Sequence, residues 1–389
     1  MAAARVYVVE GARTAFGSFG GGLKDVSALE LGVYAAKGAI ARSGFAPQAL
    51  DACFFGNVIQ AGRGAAYLSR HVALRSGLGE RVPALTVNRL CGSGLEAAVQ
   101  AYKAIVLGEA QAALAGGTES MSNAPYHLQG VRFGWGLGGA QVLDALWDTL
   151  TDDYCGCAMA DTAENLAERY EISREAQDAF SLESHQRALR AAEDGLMAEE
   201  IVPVATKKGD VTRDEHPRET SMEKLQKLPA RFRQNGTVTA GNASGINDGA
   251  AAVVVAGEAA VASAGAQPLA RIAGYASVGV DPRYMGIGPV EAIRGALKMA
   301  GWTLDDVDLF EVNEAFAAQY LAVEKELALP RERTNVQGGA VALGHPVGAS
   351  GARLLLTLAY QLRRRGLRRG VASLCIGGGQ GIAMAIERS

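Results

Sequence analysis

The sequence predicts an α/β protein built from two halves that share one strand–helix plan, with a chemically different segment between them. Three observations predict this. Short β-branched and aromatic runs alternate with apolar residues at helical spacing along the chain. The pattern of residues 49–117 returns in residues 304–379. Polar, charge-rich sequence fills roughly 118–240. A repeat of this length points to duplicated α/β domains packed together, because a solenoid unit is much shorter.

The elements follow in order. Val6-Tyr7-Val8-Val9 reads as a first strand closed by Gly11. Residues 27–43 carry apolar side chains at helical spacing and stop at Gly44. Phe54 to Val58 and Leu85 to Val87 read as strands, the second just ahead of Cys91. A helix follows Cys91 to about Leu107, stopped by Gly108, and Ala112 to Ala115 is a short apolar strand ended by Gly116-Gly117. In the second half, 289–300 is a helix ended by Gly301, and Leu304–Asn313 answers Ala49–Asn57. Gly348-Ala349-Ser350-Gly351 opens a helix as Gly92-Ser93-Gly94 does, and Val371–Leu374 answers the run at Ala112. The middle segment holds a helical pattern at 161–192 and a charged stretch at 207–233. An insertion of that size reads either as a binding lid or as a solvated surface excursion.

Composition narrows the function classes. The 389 residues suggest two to three domains. With 49% hydrophobic and 20% charged residues, the chain can bury a large core, which excludes a disordered protein. The 49 glycines follow no G-X-Y period, which excludes collagen. The 38 basic and 41 acidic residues balance to −3, unlike a general nucleic-acid binder. Five cysteines are an odd, sparse set, so a disulfide framework is not expected and a reducing, cytoplasmic setting is. The start, MAAARVYVVEGARTAFG, lacks a signal-peptide pattern, and no apolar run reaches the ~20 residues of a membrane span.

Several residues stand where chemistry is possible. Cys91 lies between a strand and a helix, where the helix N-terminus favours a thiolate; it also reads as a buried structural cysteine. Cys375 precedes Gly377-Gly378-Gly379, a possible anion nest. That run is no dinucleotide fingerprint, because the chain ends at Ser389 with no helix or acidic partner at the required spacing. His345, held between Gly344 and Pro346, suits a base or an oxyanion donor, or is simply satisfied by its loop. Asn313 reads as an oxyanion donor, directly or through water, or as the N-cap of a helix over 314–328. Cys155 and Cys157 form a Cys-x-Cys pair with no second pair nearby, so no metal site is expected. Arg363, Arg364 and Arg365 read as an ordinary basic helix C-terminus.

Taken together, Asn88-Arg89-Leu90-Cys91-Gly92-Ser93-Gly94, Gly116-Gly117-Thr118-Glu119-Ser120-Met121-Ser122, Gly241-Asn242-Ala243-Ser244-Gly245, Asn313-Glu314-Ala315-Phe316-Ala317, Gly344-His345-Pro346 and Cys375-Ile376-Gly377-Gly378-Gly379-Gln380-Gly381 resemble the thiolases, of the acetyl-CoA acetyltransferase or short-chain β-ketothiolase type. The likeness covers the whole chain in family order. It implies the duplicated thiolase fold in five layers, α-β-α-β-α. Residues 1–117, completed by about 241–265, would form the N-terminal half, 118–240 a loop domain over coenzyme A, and 266–389 the C-terminal half. It implies a reversible Claisen condensation of two acyl-CoA molecules to a 3-oxoacyl-CoA and CoA, a reaction of fatty acid metabolism. Cys91 would be the acyl-carrying nucleophile, and His345 would activate it and share an oxyanion hole with a water on Asn313. Cys375 would be the second acid/base, and the N–H groups of Cys91 and Gly377 the second hole. Ser244, Arg218, Ser221, Met159, Phe316 and Ala240 would contact coenzyme A or line its pocket. CoA would be substrate and product, with no tightly bound cofactor or metal. The partners implied are acyl-CoA, CoA and further copies of the chain as homodimer or homotetramer, with residues 123–147 as a tetramer contact; no nucleic acid or membrane is implied.

The chain departs from the family in one place. Short-chain members commonly read His-Met-Gly where this chain reads Ala158-Met159-Ala160. Loss of the His widens and depolarises that wall, which admits a bulkier or functionalised 3-oxoacyl-CoA. A thiolase-like subunit that needs a partner for activity is the remaining alternative. A decarboxylating relative is disfavoured by Cys375, where such enzymes usually carry His or Asn.

Overall fold

The computed structural model describes residues 5–389; the first residues of the stretch read for a signal peptide lie outside them. The N-terminal half runs β1 (Val6–Thr14), α1 (Ala28–Ser43), β2 (Ala52–Gly56), α2 (Leu68–Arg75), β3 (Ala84–Val87), α3 (Ser93–Val106) and β4 (Ala112–Ser120). α1 begins at a capping box between Ser27 and Glu30 and ends at Gly44, whose φ of 77° suits glycine alone. The middle segment holds the hairpin strands β5 (Tyr126–Gln129) and β6 (Gln141–Asp144), the short pair β7 (Thr151–Asp152) and β8 (Cys157–Ala158), then α4 (Met159–Arg169) and α5 (Arg174–Glu193). β9 (Asn247–Gly257) returns to the first half. The second half is β10 (Ala270–Gly279), α6 (Gly288–Ala300), β11 (Leu309–Val312), α7 (Ala317–Leu327), α8 (Ser350–Arg365), β12 (Arg369–Ile376) and β13 (Gln380–Arg388).

The strands form one hydrogen-bonded series, β11-β12-β13-β10-β1-β9-β4-β2-β3. Each half carries the same order. β2 runs parallel to β4, which is antiparallel to β9, which is antiparallel to β1. Likewise β11 runs parallel to β12, which is antiparallel to β13, which is antiparallel to β10. The halves join where Tyr7 and Val8 lie opposite Arg271 and Ala270. The first half adds β3 as an outer edge strand.

Side chains alternate across the strands, so each half-sheet is apolar on both faces. Val254 of β9 faces outward onto Leu31, Ala35 and Val72 of α1 and α2. Its neighbours Val253 and Val255 face inward onto Leu95, Val99 and Leu355 of α3 and α8, which also receive Leu374 and Ile382 of the second half-sheet. α6 and α7 cover the far face with Ile293, Leu297, Tyr320 and Val323 against Val371 and Ala383. The result is five layers, α-β-α-β-α.

The crossing of the two central helices places the site. A Cβ on Gly94 would sit 2.7 Å from the Ala352 nitrogen, and one on Gly351 would collide with the Leu95 backbone. α3 and α8 therefore touch backbone to backbone at their N-terminal turns. Cys91 precedes one of these turns and His345 the other, so the crossing gathers both loops.

The structure corrects several boundaries. β1 continues past Gly11 to Thr14, and β2 ends at Gly56, before Val58. β4 passes through Gly116-Gly117 to Ser120, because Gly116 packs on Phe55 and Gly117 on the Gly348 carbonyl. The pattern at 161–192 is two helices: Glu171 takes φ 53°, and Ser173 caps the second by accepting from Ala176 N. Both helices pack on α7, through Ala163 and Ala167 near Ala318 and through Phe180 stacked on Tyr320 at 4.4 Å. The hairpin β5–β6 exposes Tyr126, Leu128, Phe133, Trp135, Leu137 and Val142 on and between its strands.

Candidate active site

Cys91 stands on a strained elbow. Leu90, just before it, has φ 45°, a left-handed conformation unfavourable for leucine. The turn is held on every side. Asn88 Oδ1 accepts from Leu90 N at 3.0 Å, and Asn88 Nδ2 donates to Val58 O at 3.2 Å. Ser93 Oγ accepts from Arg89 N at 2.9 Å and donates to Leu90 O at 2.6 Å. Cys91 is half-buried, with Val58, Leu90, Ile246 and Val347 packed around it and its thiol covered.

The helix-terminus argument predicts a lowered thiol pKa here, and the structure corrects it. Burial pushes the Cys91 thiol up to about 11; hydrogen bonds from the backbone N–H of Gly377 and of Cys91 itself pull it down, and the Glu119 charge adds to the rise. Cys91 lies ahead of the N-cap Gly92, and its apolar surroundings outweigh the helix end. Its proton therefore needs a base.

His345 is the candidate for that base. Its Nδ1 lies 2.6 Å from Ser350 Oγ, whose hydroxyl donates to Pro346 O at 2.9 Å. The hydroxyl proton is thus engaged, so Ser350 accepts from Nδ1–H. Nε2 is left with its lone pair, which accepts from Asn313 Nδ2 at 3.4 Å. Burial, with the charge of Arg353 adding, depresses the imidazole to about 3, so it is neutral at pH 7. The backbone N–H of His345 donates to Asn247 Oδ1 at 3.1 Å.

Asn313 is fully buried and caps no helix: α7 starts at Ala317, with Phe316 at its N-cap. Its backbone N–H donates to Ser373 O at 2.9 Å, and its Oδ1 has no hydrogen-bond partner among the described residues. Cys375, only 1% exposed near the end of β12, packs with Met285, Ala315, Met159 and Phe316. Burial raises its thiol above the usual cysteine range, and the Cys91 charge raises it further, so the two sulfurs lie within electrostatic reach. Gly377 is buried between Leu90 and Met159, both 3.2 Å from the place a Cβ would take. The structure thus brings Cys91, Cys375 and Gly377 together and pairs His345 with Asn313.

The residues expected around coenzyme A spread farther. Ser244 N donates to Ala315 O at 2.9 Å, and Ala243 bridges to Phe316, which sets both beside Cys375. Met159 also borders a cleft of about 360 Å³ with Leu90, Gly377 and Gly378. Ala240 is exposed. Arg218 is exposed, with Nη1 3.3 Å from His216 Nε2, and its backbone N–H donates to His185 Nδ1 at 3.4 Å. Ser221 caps a short helix by accepting from Lys224 N at 3.3 Å. His216 lies against Gly245, which links this segment to the loop holding His345. Ala158 pairs with Thr151, whose side chain lines the cleft. Cys157 Sγ lies 3.5 Å from Cys155 O, in the turn between β7 and β8.

Sequence reasoning missed three supporting residues. Glu119 accepts from Val58 N at 2.9 Å, Ile59 N at 3.1 Å, Gly348 N at 3.1 Å and Asn57 Nδ2 at 2.9 Å. It ties the end of β2, the end of β4 and the His345 loop together, and burial raises its carboxyl to about 7. The signal was available: a glutamate in a run of small residues after an apolar strand is rarely buried unless paired. Ser350 and Asn247 carried no sequence signal, because only the turn and the sheet bring them to His345.

The comparisons with known proteins agree with this geometry. Residues 6–259 match the family described as thiolase, N-terminal domain, and residues 266–388 that described as thiolase, C-terminal domain. Human mitochondrial 3-ketoacyl-CoA thiolase is 53% identical over 388 residues, 98% of each chain. An acetyl-CoA acetyltransferase of Chromobacterium violaceum is 49% identical over 390 residues, 98% of this chain and 99% of that protein. The crystal structure of the human mitochondrial 3-ketoacyl-CoA thiolase with CoA covers 99% of this chain and 98% of its own, with TM-score 0.98 and 52% identity.

Proposed function

The chain belongs to the thiolase family, whose reversible Claisen condensation of two acyl-CoA molecules it catalyses, and we propose that Cys91 carries the acyl group while Cys375 carries the proton. The observation that supports this most is the approach of the two thiols, with Cys91 accepting from the Gly377 N–H and Cys375 close enough to feel the Cys91 charge. In thiolysis His345 Nε2 takes the Cys91 proton, and the thiolate attacks the 3-oxo carbon of the 3-oxoacyl-CoA. The new Nε2–H, with a water on Asn313 Oδ1, donates to the oxyanion. The bond between C2 and C3 breaks, and its electron pair leaves on the acetyl-CoA enolate. The N–H groups of Cys91 and Gly377 hold the enolate oxygen while Cys375 gives C2 its proton. Free CoA then loses its thiol proton to Cys375 and attacks the acyl-Cys91 thioester, and Cys91 leaves as thiolate. Condensation is the same path reversed.

Electrostatics suits this division. Burial keeps Cys375 a protonated acid in the free enzyme, and a Cys91 thiolate, once formed, holds its proton more firmly still. Acylation makes Cys91 a neutral thioester and removes that charge, so Cys375 is then easier to ionise. The test is CoA-dependent cleavage of 3-oxoacyl-CoAs of rising length, with intact-protein mass beside it. Cys91→Ala should lose cleavage and acyl labelling together. Cys375→Ala should still take an acetyl group from acetyl-CoA but make no carbon–carbon bond. Labelling that survives in Cys91→Ala would overturn the assignment.

We further infer a preference beyond acetoacetyl-CoA, supported by Ala158 and by the cleft at Met159. The homodimer reading is supported by the open edge strand β3 with Leu85 51% exposed, and the homotetramer reading by the apolar hairpin β5–β6. Light scattering of the native protein beside Leu85→Lys and Trp135→Ser separates the two. The odd, sparse cysteine set supports a reducing compartment such as the cytoplasm, which fractionation tests.

A further inference from the structure

We propose that the cleft beside the nucleophile is a charge filter that accepts 3-oxoacyl-CoAs with neutral tails and rejects those whose tail ends in a carboxylate. The inference rests on the acyl-Cys91 assignment above. The cleft is lined by Leu90, which precedes Cys91, and by Gly377, whose N–H donates to the Cys91 thiol, and its inner wall is Val58, Asn88, Leu90 and Met159. Its outer wall is the segment from α4's approach: Asp148, Asp152 and Asp153, with Thr149, Thr151 and Tyr154. Among the described residues, no lysine, arginine or histidine lines it. Asp148 and Asp153 are exposed, so their charge faces the entrance. Asp152 spends Oδ1 on Tyr154 N at 2.9 Å, while its Oδ2 is buried with no hydrogen-bond partner among the described residues. A buried carboxylate oxygen without a donor is an unmet acceptor, and a second carboxylate has no donor to offer it. Arg283 borders the adjoining hollow beside Tyr154 and is engaged by Asp281 through two hydrogen bonds, 3.1 and 2.7 Å long, and Arg89, between the lining residues Asn88 and Leu90, is paired with Glu96 at 3.0 Å.

The apolar wall takes a methylene chain of any tail. The end of the chain then meets three like-sign groups in a confined space. A methyl end loses little there. A carboxylate end is repelled, and the side-chain donors lining the cleft are the hydroxyls of Thr149, Thr151 and Tyr154 and the Asn88 amide, which already donates to Val58 O at 3.2 Å. Like-charge juxtaposition of this kind sets specificity more than affinity for the preferred partner.

The experiment measures kcat/KM for CoA-dependent cleavage of two 3-oxoacyl-CoAs of equal chain length, one ending in a methyl group and one in a carboxylate. The native enzyme should prefer the methyl-ended substrate by about 10-fold or more. Asp148→Asn with Asp153→Asn should shrink that preference several-fold, through a gain on the carboxylate-ended substrate. Raising the salt concentration should shrink it in the native enzyme and less in the variant, since exposed charges are screened. Equal rates for the two substrates in the native enzyme, or an unchanged preference in the variant, would overturn the filter. Cleavage of the methyl-ended substrate confirms that each protein is folded. Failure of the native enzyme on both substrates would instead overturn the thiolase assignment, and the filter with it.

Discussion

At the scale of single residues, the site turns on which nitrogen of His345 is free. Ser350 fixes the proton on Nδ1, and among the described residues no other side chain is bonded there. Ser350→Ala should therefore lower kcat about 10-fold or more with little change in KM, because tautomer control serves proton transfer and not binding. Ser350→Thr, which keeps the hydroxyl, should recover most of the rate; equal loss in both variants would mean a packing effect. A second histidine reports on stability. His185 is buried, and burial, with the charges of Arg218 and His216, lowers it to about 3. Below its ordinary value of 6.5 the unfolded chain binds a proton that the folded chain refuses. Its contribution is thus present above pH 6.5 and lost as pH falls toward 3. Glu119 and Glu311, both raised to about 7, act in the opposite direction between 4.5 and 7. The clean measurement is the difference between native protein and His185→Gln in urea unfolding. That difference should shift by up to about 1.4 kcal/mol per pH unit across the window. A constant difference would show that His185 is protonated in the fold.

At the scale of elements, the contact between α3 and α8 matters most. Each helix starts one or a few residues after a catalytic loop, and the two starts meet at Gly94 and Gly351 without room for a methyl group. Gly351→Ala should force the helices apart and destabilise the protein by about 1–3 kcal/mol, as overpacking does. The same shift displaces Cys91 from His345, so residual activity should fall more than residual folded fraction. Circular dichroism melts beside turnover measure both. If activity simply followed the folded fraction, the crossing would not be what aligns the loops.

At the scale of the whole molecule, the middle segment is fastened to the layers by buried charge. Arg13 of β1 is 1% exposed and gives Nε to Glu200 at 2.9 Å and its Nη atoms to Asp214 at 2.7 and 2.9 Å. Thr357 of α8 donates to the same Glu200 at 2.8 Å. Arg13→Met removes one partner and strands two buried carboxylates, which should destabilise by about 3–5 kcal/mol. Denaturant unfolding should show the loss in the midpoint, and limited proteolysis should cut first within 194–240. Proteolysis spread evenly over the chain would argue that the pair stabilises the sheet and not the attachment.

The sequence by itself determined the period and order of the elements, the repeat, and the motifs that hold the residues proposed to carry chemistry. Strand and helix periods, glycine stops such as Gly44 and Gly301, and the Cys91, His345, Asn313 and Cys375 motifs are local features, readable from neighbours in the chain. Tertiary structure decided the rest, because those properties depend on what distant segments place around a group. A helix start after Cys91 predicts a lowered pKa, yet Val58, Ile246 and Val347 cover the thiol and raise it. Asn313 looks like a helix cap, yet strand pairing with β12 carries it into the core, and the helix waits until Ala317. Glu119 looks like one residue of a motif, yet three backbone N–H groups and an amide from other segments converge on it. Hydrogen-bond partners and desolvation are set by the folded surroundings, and no spacing along the chain encodes them.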